Sequence, residues 1–372
     1  MKVIVYGTNH YNTLNLVRSL GIEKHYVILI LIKDKITFVD KSKYVKECIC
    51  VSKNTDIIDI VKSISTKYSN DKIVLFTSGD DEATYVNSHF NDLNKYVITE
   101  GGTNNNDINK YRDKNISNKL AEEIGFNVPQ TYIINYCEEI TNNIKYPIIV
   151  KANNSIRGGK NVLAIVNNID ELKAKLATIP PKDYPIQIQE FINKEYEIML
   201  QGCSLDNGNE IICEIANRKM RHYPNPYSAG SFSYSVMIDN NPNLVELRTL
   251  TSKYLKRINY SGLFSIEFIY CNNKYYFLEI NLRNDGTSYL STMCGCNLAD
   301  TFCKWQEGLK RKDFKYKPYK YINFLNDIKH VRNGNISFFK WILQFMSRKC
   351  YSHFNWKDIK PFYYYLKSKK II

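Results

Sequence analysis

The first hundred residues alternate short apolar runs with amphipathic stretches. Val3-Ile-Val-Tyr-Gly7, Tyr26-Val-Ile-Leu-Ile-Leu-Ile32 and Lys72-Ile-Val-Leu-Phe76 read as buried strands. Around Leu14 to Leu20, and again from Ile57 to Thr66, apolar positions recur at helical spacing. This alternation predicts a small parallel α/β sheet. The segment lacks G-x-G-x-x-G, so no dinucleotide is assigned to it. Thr77-Ser-Gly-Asp-Asp-Glu82 follows a strand directly. It suits either a ligand-contacting loop or a helix N-terminus with an acidic first turn.

Polar Gly101-Gly-Thr-Asn-Asn-Asn-Asp107 reads as a linker. A helix is expected from about Asp113 to Ile124, stopped by Gly125, and a strand after Pro129 to Ile134. Tyr146-Pro-Ile-Ile-Val-Lys151 is a strand ending in a lysine, and the polar loop Ala152–Asn161 follows. Further strands are expected at 162–166, 185–190 and 196–202, with a helix over 169–177.

Later, Gly262–Tyr270 and Tyr275–Arg283 flank Cys271-Asn-Asn-Lys274, a β-hairpin pattern with Asn at the turn. Each run places a glutamate among apolar neighbours: Glu267 on one strand, Glu279 on the other. Glu279 and Asn281 are two apart and share a face. Two carboxylates about 4 Å apart repel by roughly 4 kcal/mol at an effective dielectric near 20. A hard divalent cation such as Mg²⁺, which takes oxygen ligands, would offset that repulsion.

At 372 residues the chain has room for two or three domains. Met1-Lys-Val-Ile-Val-Tyr-Gly7 reads as a strand, not a signal peptide, and no window approaches the roughly 18 apolar residues of a membrane span. Ten scattered cysteines without a CxxC pair read as reduced thiols of a cytoplasmic protein. Net charge is +14, and the segment from Lys310 onward, with 16 Lys and Arg against 3 Asp and Glu, carries +13 of it. The body therefore needs no polyanion. Within the tail, Ser337–Lys349 and Lys357–Lys370 are basic, aromatic helix candidates. They suit a helix packed on the body with solvated lysines, or an interfacial helix on anionic lipid, peripheral to the inner face of the membrane. Nucleic acid is the least favoured partner, although interleaved aromatics and lysines are compatible with it.

From about Asp113 to Leu309 the order of these pieces resembles the ATP-grasp fold of carboxylate–amine ligases, a superfamily that includes D-alanine–D-alanine ligase, carbamoyl-phosphate synthase and D-aspartate ligase-like enzymes. The resemblance implies α/β and α+β architecture. Its parts are a Rossmann-like preATP-grasp domain at 1–104, a two-subdomain ATP-grasp domain at 105–309 with its hinge near 190–193, and a basic helical extension at 310–372. It implies ATP and Mg²⁺ as cofactors, two ions, with Mn²⁺ as a substitute. Glu267, Glu279 and Asn281 match the metal ligands. Lys114 and Lys151 match the phosphate lysines, and Asn153–Asn161, with Ser155, Gly158 and Gly159, the loop over the triphosphate. This loop departs from the family in having few glycines and an arginine, Arg157. Glu190, Phe191 and Ile192 match the adenine contact at the hinge, and Glu197 the ribose contact, with Glu195 adjacent as an alternative. Arg283, Lys219 and Arg221 match groups that hold substrate carboxylate or phosphoryl oxygens, with Arg218 as a further choice among the cations. Asn284–Ser288 reads as a substrate-facing turn, and Tyr223–Phe232 as a loop over the acceptor site.

The implied reaction is ATP-dependent joining of a small-molecule or saccharide-linked carboxylate to an amine, in cell-surface polysaccharide, cell-wall or small-peptide synthesis. The alternatives are a carboxylase or carbamoyl-phosphate-type enzyme and an ATP-binding module without turnover. A homodimer is expected by analogy with relatives.

Overall fold

A computed structural model describes residues 1–138, 140, 144–152, 162–224, 228–310, 313–344 and 348–371. They cluster into two compact units. The first holds Met1–Ile108, Ile198–Ser265 and Asn281–Ile372, and the second Asn109–Glu197 and Ile266–Ile280.

In the first unit, β1 (Lys2–Gly7), β2 (Tyr26–Ile32), β3 (Val45–Val51), β4 (Ile73–Thr77) and β5 (Ile98–Thr99) form a parallel sheet in the order β3-β2-β1-β4-β5. Parallel strands covered on both faces carry continuous apolar runs. Accordingly Val3–Val5, Val27–Leu31 and Val74–Phe76 are almost wholly buried. The strand order reverses between β1 and β4, where open α/β sheets have their crevice at the strands' carboxyl ends. Helix Tyr11–Ile22 follows β1, and His10 caps it by accepting the Asn12 N–H. Helix Asp80–Ser88 follows β4 with Asp80, Asp81 and Glu82 in its first turn.

The second unit contains β6 (Thr131–Ile134), β7 (Ile148–Ala152), β8 (Ala164–Val166) and β9 (Ile186–Glu190), antiparallel in the order β6-β9-β7-β8. Ile148, Val150, Ile186, Ile188 and Leu172 form its core. Alternation along β7 puts Lys151 and Ile149 on the face away from that core. Helix Lys114–Ile124 is capped by Asp113, which accepts from Asn115 and Ile116 N–H at 2.8 and 3.1 Å. It ends at Gly125, whose φ of 108° suits glycine.

A seven-stranded sheet comprises β10 (Tyr196–Leu205), β11 (Glu210–His222), β12 (Gly230–Met237), β13 (Gly262–Cys271), β14 (Lys274–Asn281), β15 (Lys320–Ile322) and β16 (Lys349–Tyr351), in the order β14-β13-β10-β11-β12-β15-β16. The expected β13–β14 hairpin is present. Its turn residues Asn272 and Asn273 have φ of 49° and 61°, the left-handed pair a two-residue turn demands.

The segment from 310 onward, expected to be helical, also supplies two strands. Tyr321 and Ile322 are buried where β15 pairs with β12, and Cys350 is buried where β16 pairs with β15. The helix expected over Ser337–Lys349 covers only Phe338–Leu343, and Lys349 begins β16. Helices Phe324–Arg332 and Lys360–Ser368 complete the described tail.

This tail is fixed to the first unit by a fully buried ion pair. Arg18 Nε donates to Asp358 Oδ2 at 2.9 Å, and Nη2 donates to the carbonyls of His353 and Asp358. Asp358 also accepts from Ser42 Oγ and Lys43 N–H. Removing one partner of such a pair strands a charge in a dry interior. Asp358→Ala is therefore expected to cost about 3–5 kcal/mol in urea unfolding, and a loss within experimental error of zero would contradict this packing.

Candidate functional site

In the second unit three charged side chains from different elements converge. Lys114 opens a helix, Lys151 lies near the end of β7, and Glu279 lies on β14. Lys114 Nζ is 3.8 Å from Glu279 Oε2. Lys151 Nζ donates to Gln189 Oε1 at 2.8 Å, and Gln189 Nε2 donates to Thr131 Oγ1. Withdrawal from water, then the neighbouring charge of Lys114, push the Lys151 pKa from 10.5 down to about 7; Glu279 pulls the other way. Lys114 and Glu279 form an ion pair, and the charges of both act on Lys151. Glu267 is half-buried on the partner strand of the same hairpin. Among the described residues, no three His, Cys, Asp or Glu side chains gather as a metal-binding group. The expected donor set, two carboxylates and an amide, is not of that composition.

The hinge residues are placed by backbone bonds. Glu190 ends β9; its N–H donates to the Gln130 carbonyl, and its exposed carboxylate accepts from Gln130 N–H at 3.3 Å. The Phe191 N–H is engaged by the Pro147 carbonyl at 3.2 Å. Ile192 follows in the same extended stretch. Glu195 is occupied with the hairpin: its N–H donates to Tyr270 O, and its carboxylate accepts from Asn272 N–H. Glu197 is buried and ion-paired with Lys194. Both adjacent acids thus have protein partners, Glu195 on the hairpin and Glu197 on Lys194. Ser155, Gly158 and Gly159 lie outside the described residues, as does the rest of the loop 153–161.

In the first unit Arg283 is seated at the carboxyl end of β4. Its Nε and Nη2 hold Asp80 Oδ1 and Oδ2 at 2.8 and 2.9 Å, a bidentate fork. Nη2 also reaches Asn281 Oδ1 at 3.2 Å, and Nη1 the Asn284 carbonyl at 3.0 Å. The Thr77–Glu82 segment is thus a helix N-terminus, and its first acid is a partner for Arg283. Asn12 Nδ2 donates to the carbonyls of Ser78 and Asn284, joining the β1 and β4 ends to the turn after β14. In that turn Asp285 Oδ1 accepts from Thr287 N–H and from Gln201. Burial, then the charge of Arg283, lower the His10 pKa to about 4, so this ring is neutral near pH 7. Glu100, also buried, accepts from Thr77 and Leu263 N–H at 3.0 and 2.8 Å and ties β4 to β13. Desolvation raises its carboxyl to about 7 against those hydrogen bonds.

Lys219 and Arg221, expected together, face opposite ways. The β11–β12 register shifts by one residue at Met220, so Lys219 lies opposite Ser233 and Arg221 opposite Phe232. Neighbouring residues on a strand point to opposite faces, and one inserted residue reverses the alternation. Arg221 Nε and Nη2 grip buried Asp327 at 2.8 and 2.6 Å, and Nη1 donates to Gln344. Its guanidinium joins the sheet to the tail, a structural task in place of the expected substrate contact. Lys219 remains half-buried on the other face.

Sequence reasoning missed Asp80 as the partner of Arg283, the Asn12–Asn284 link and Gln189 under Lys151. The acids directly after a strand signalled the first. Two glutamines alternating with isoleucine in β9 signalled the last, because polar positions in a buried strand need partners.

The ATP-grasp domain model matches residues 119–300. The carbamoyl phosphate synthase large chain of Synechocystis sp. is 28% identical over 210 residues, covering 53% of this chain and 19% of that protein. Its counterpart in Sulfurisphaera tokodaii is 23% identical over 268 residues, covering 67% and 25%. The chain thus spans about a fifth to a quarter of the length of these curated relatives. In fold it is similar to N5-carboxyaminoimidazole synthetase from Staphylococcus aureus (TM-score 0.66, 16% identity, 89% of this chain and 85% of that one). It is also similar to L-amino acid ligase from Bacillus licheniformis (TM-score 0.62, 14% identity, 82% and 73%). Residues 119–300 match the ATP-grasp domain model, and the fold is similar to that of the enzymes named above.

The Lys151 shift has a definite sign. A lysine whose folded pKa is about 7 binds fewer protons than the unfolded chain between about pH 7 and 10.5, so its contribution to stability rises with pH across that window. Lys151→Met is expected to lose that rise, so the stability difference, wild type minus variant, increases from about pH 7 to 10.5 in unfolding curves. A pH-independent difference would contradict the burial.

Proposed function

We propose that this chain is an ATP-dependent carbon–nitrogen ligase that joins a small-molecule or saccharide-linked carboxylate to an amine. The observation that carries the reading is the gathering of Lys114, Lys151 and Glu279. Two lysines beside one acid are suited to triphosphate oxygens. Glu267, Glu279 and Asn281 supply hard oxygen donors, and Glu279 already attracts a cation in Lys114; these residues fit Mg²⁺. Bound there, the metal would neutralise charge on the phosphoryl oxygens. Glu190 and the backbone of Phe191 and Ile192 are assigned to adenine, Glu197 to ribose, and Ser155, Gly158 and Gly159 to the phosphates.

Arg283 is assigned to the substrate carboxylate or the phosphoryl group in transfer. Its fork already holds a planar carboxylate, that of Asp80, in the geometry such a substrate would use. Lys219 is retained as a second cation for this task. A substrate carboxylate oxygen bonds to the γ-phosphorus as the bond to ADP breaks, giving an acylphosphate. The amine nitrogen then bonds to the acyl carbon, loses a proton, and phosphate leaves. Positioning and charge neutralisation supply the catalysis, and no side-chain nucleophile is required.

Carboxylases share this first half-reaction with bicarbonate as the acid, and the carbamoyl phosphate synthase relatives favour that second reading. A binding module without turnover is disfavoured because every expected metal ligand is present.

The test is a screen of amino acids and sugar acids, with and without amines and bicarbonate, for ADP release. The expected result is release that depends on an organic acid and an amine, lowered at least about 100-fold in Glu279→Gln, the scale seen when one charge-stabilising group is lost. Normal turnover by that variant contradicts the site, and release with bicarbonate alone favours the carboxylase reading.

A further inference from the structure

The tail packs on the first unit with one side and presents a cationic, apolar surface with the other. Among the described residues 17 large hydrophobic side chains are exposed, and nine of them lie from Phe324 onward. Four belong to helix Phe338–Leu343: Phe338 (52% exposed), Phe339 (80%), Ile342 (41%) and Leu343 (62%). They form two adjacent rows at i and i+4, hence one face. The opposite side is anchored. Trp341 is buried, and its indole N–H donates to Asp327 Oδ2 at 2.8 Å, the carboxylate that also binds Arg221. The helix is therefore seated firmly with its largest apolar groups outward, an arrangement that marks an interaction surface.

The tail's own exposed charges after Asp313 are cationic, and Glu23 lines the neighbouring cavity as an acid. After Asp313 the only acids are Asp327 and Asp358, and both are buried in arginine pairs. Lys340, Arg348, Lys357 and Lys360 are exposed. The apolar helix is linked to the next basic element: Lys320 Nζ donates to Gln344 O at the helix end, and Lys320 pairs in register with Lys349. Beyond it, Trp356 is 81% exposed. Together with Lys24, Tyr44, Lys349, Phe354 and Lys357 it lines a cavity of about 740 Å³. No helix among the described residues is long and apolar enough to cross a membrane.

We propose that this face docks on an anionic phospholipid bilayer. Phe338, Phe339, Ile342, Leu343 and Trp356 lie at the boundary between headgroups and acyl chains, and the lysines and Arg348 meet phosphate oxygens. A short apolar face flanked mainly by lysines and Arg348 matches such a surface in both its components. The proposal does not depend on the ligase reading, because none of these residues is assigned to ATP or substrate.

Full-chain protein is sedimented with phosphatidylcholine vesicles, with and without phosphatidylglycerol, at low and high salt. Binding is expected only with phosphatidylglycerol, to be weakened by salt, and to fall about tenfold or more in Phe339→Asp/Leu343→Asp. Phe339→Ser, a milder change at the most exposed position of the helix, is expected to weaken binding while keeping the wild-type unfolding midpoint. Absence of vesicle binding overturns the proposal. So does equal binding to both vesicle types, binding unchanged in the variants, or binding to single-stranded RNA in place of vesicles.

Discussion

Much of the second unit's chemistry depends on one electrostatic imbalance. Lys151 is drawn out of water beside a second lysine, and the charge of Glu279, itself paired with that lysine, acts in the opposite sense. Desolvation of an ammonium group is unfavourable unless an anion accompanies it. The unit's architecture creates this situation deliberately: alternation in β7 turns Lys151 off the core, the Asp113 cap starts the helix at Lys114, and the Asn272–Asn273 turn returns β14 to deliver Glu279. The proposed triphosphate and metal would restore the balance, and that is the ground on which these three residues are assigned to ATP.

The first unit makes a complementary use of paired charge. Buried Arg18 and half-buried Arg221 pair with acids of the tail, Asp358 and Asp327. Both pairs join segments far apart in sequence, and they remove from the tail's surface the two acids that would otherwise dilute its positive field. Arg283 differs: its partner Asp80 is 36% exposed and belongs to a helix start after β4. A partly solvated pair is easier to exchange for a ligand than a dry one.

Much of this was legible in the sequence because its signals are local. The apolar runs of β1, β2 and β4, the Gly125 stop, the lysine near the end of β7 and the two-asparagine turn each declare themselves within a few residues. The Glu267–Glu279–Asn281–Arg283 series was readable as a motif of the superfamily. What escaped depends on distant pairing. Arg283 meets Asp80 across 203 positions of sequence. The face of Arg221 is decided by a single extra residue, Met220, whose insertion no periodicity announces. Strands β15 and β16, three residues each, are too short to show a period and are defined by their buried neighbours.

The central claim is that Lys151 awaits a phosphate. Calorimetric titration with Mg·ATP near pH 8, in two buffers of different ionisation enthalpy, tests it most directly. Binding should draw a proton onto Lys151 from the buffer, so the apparent heats should differ between buffers and the difference should vanish in Lys151→Met. No binding, or a proton uptake that persists in the variant, would contradict the account.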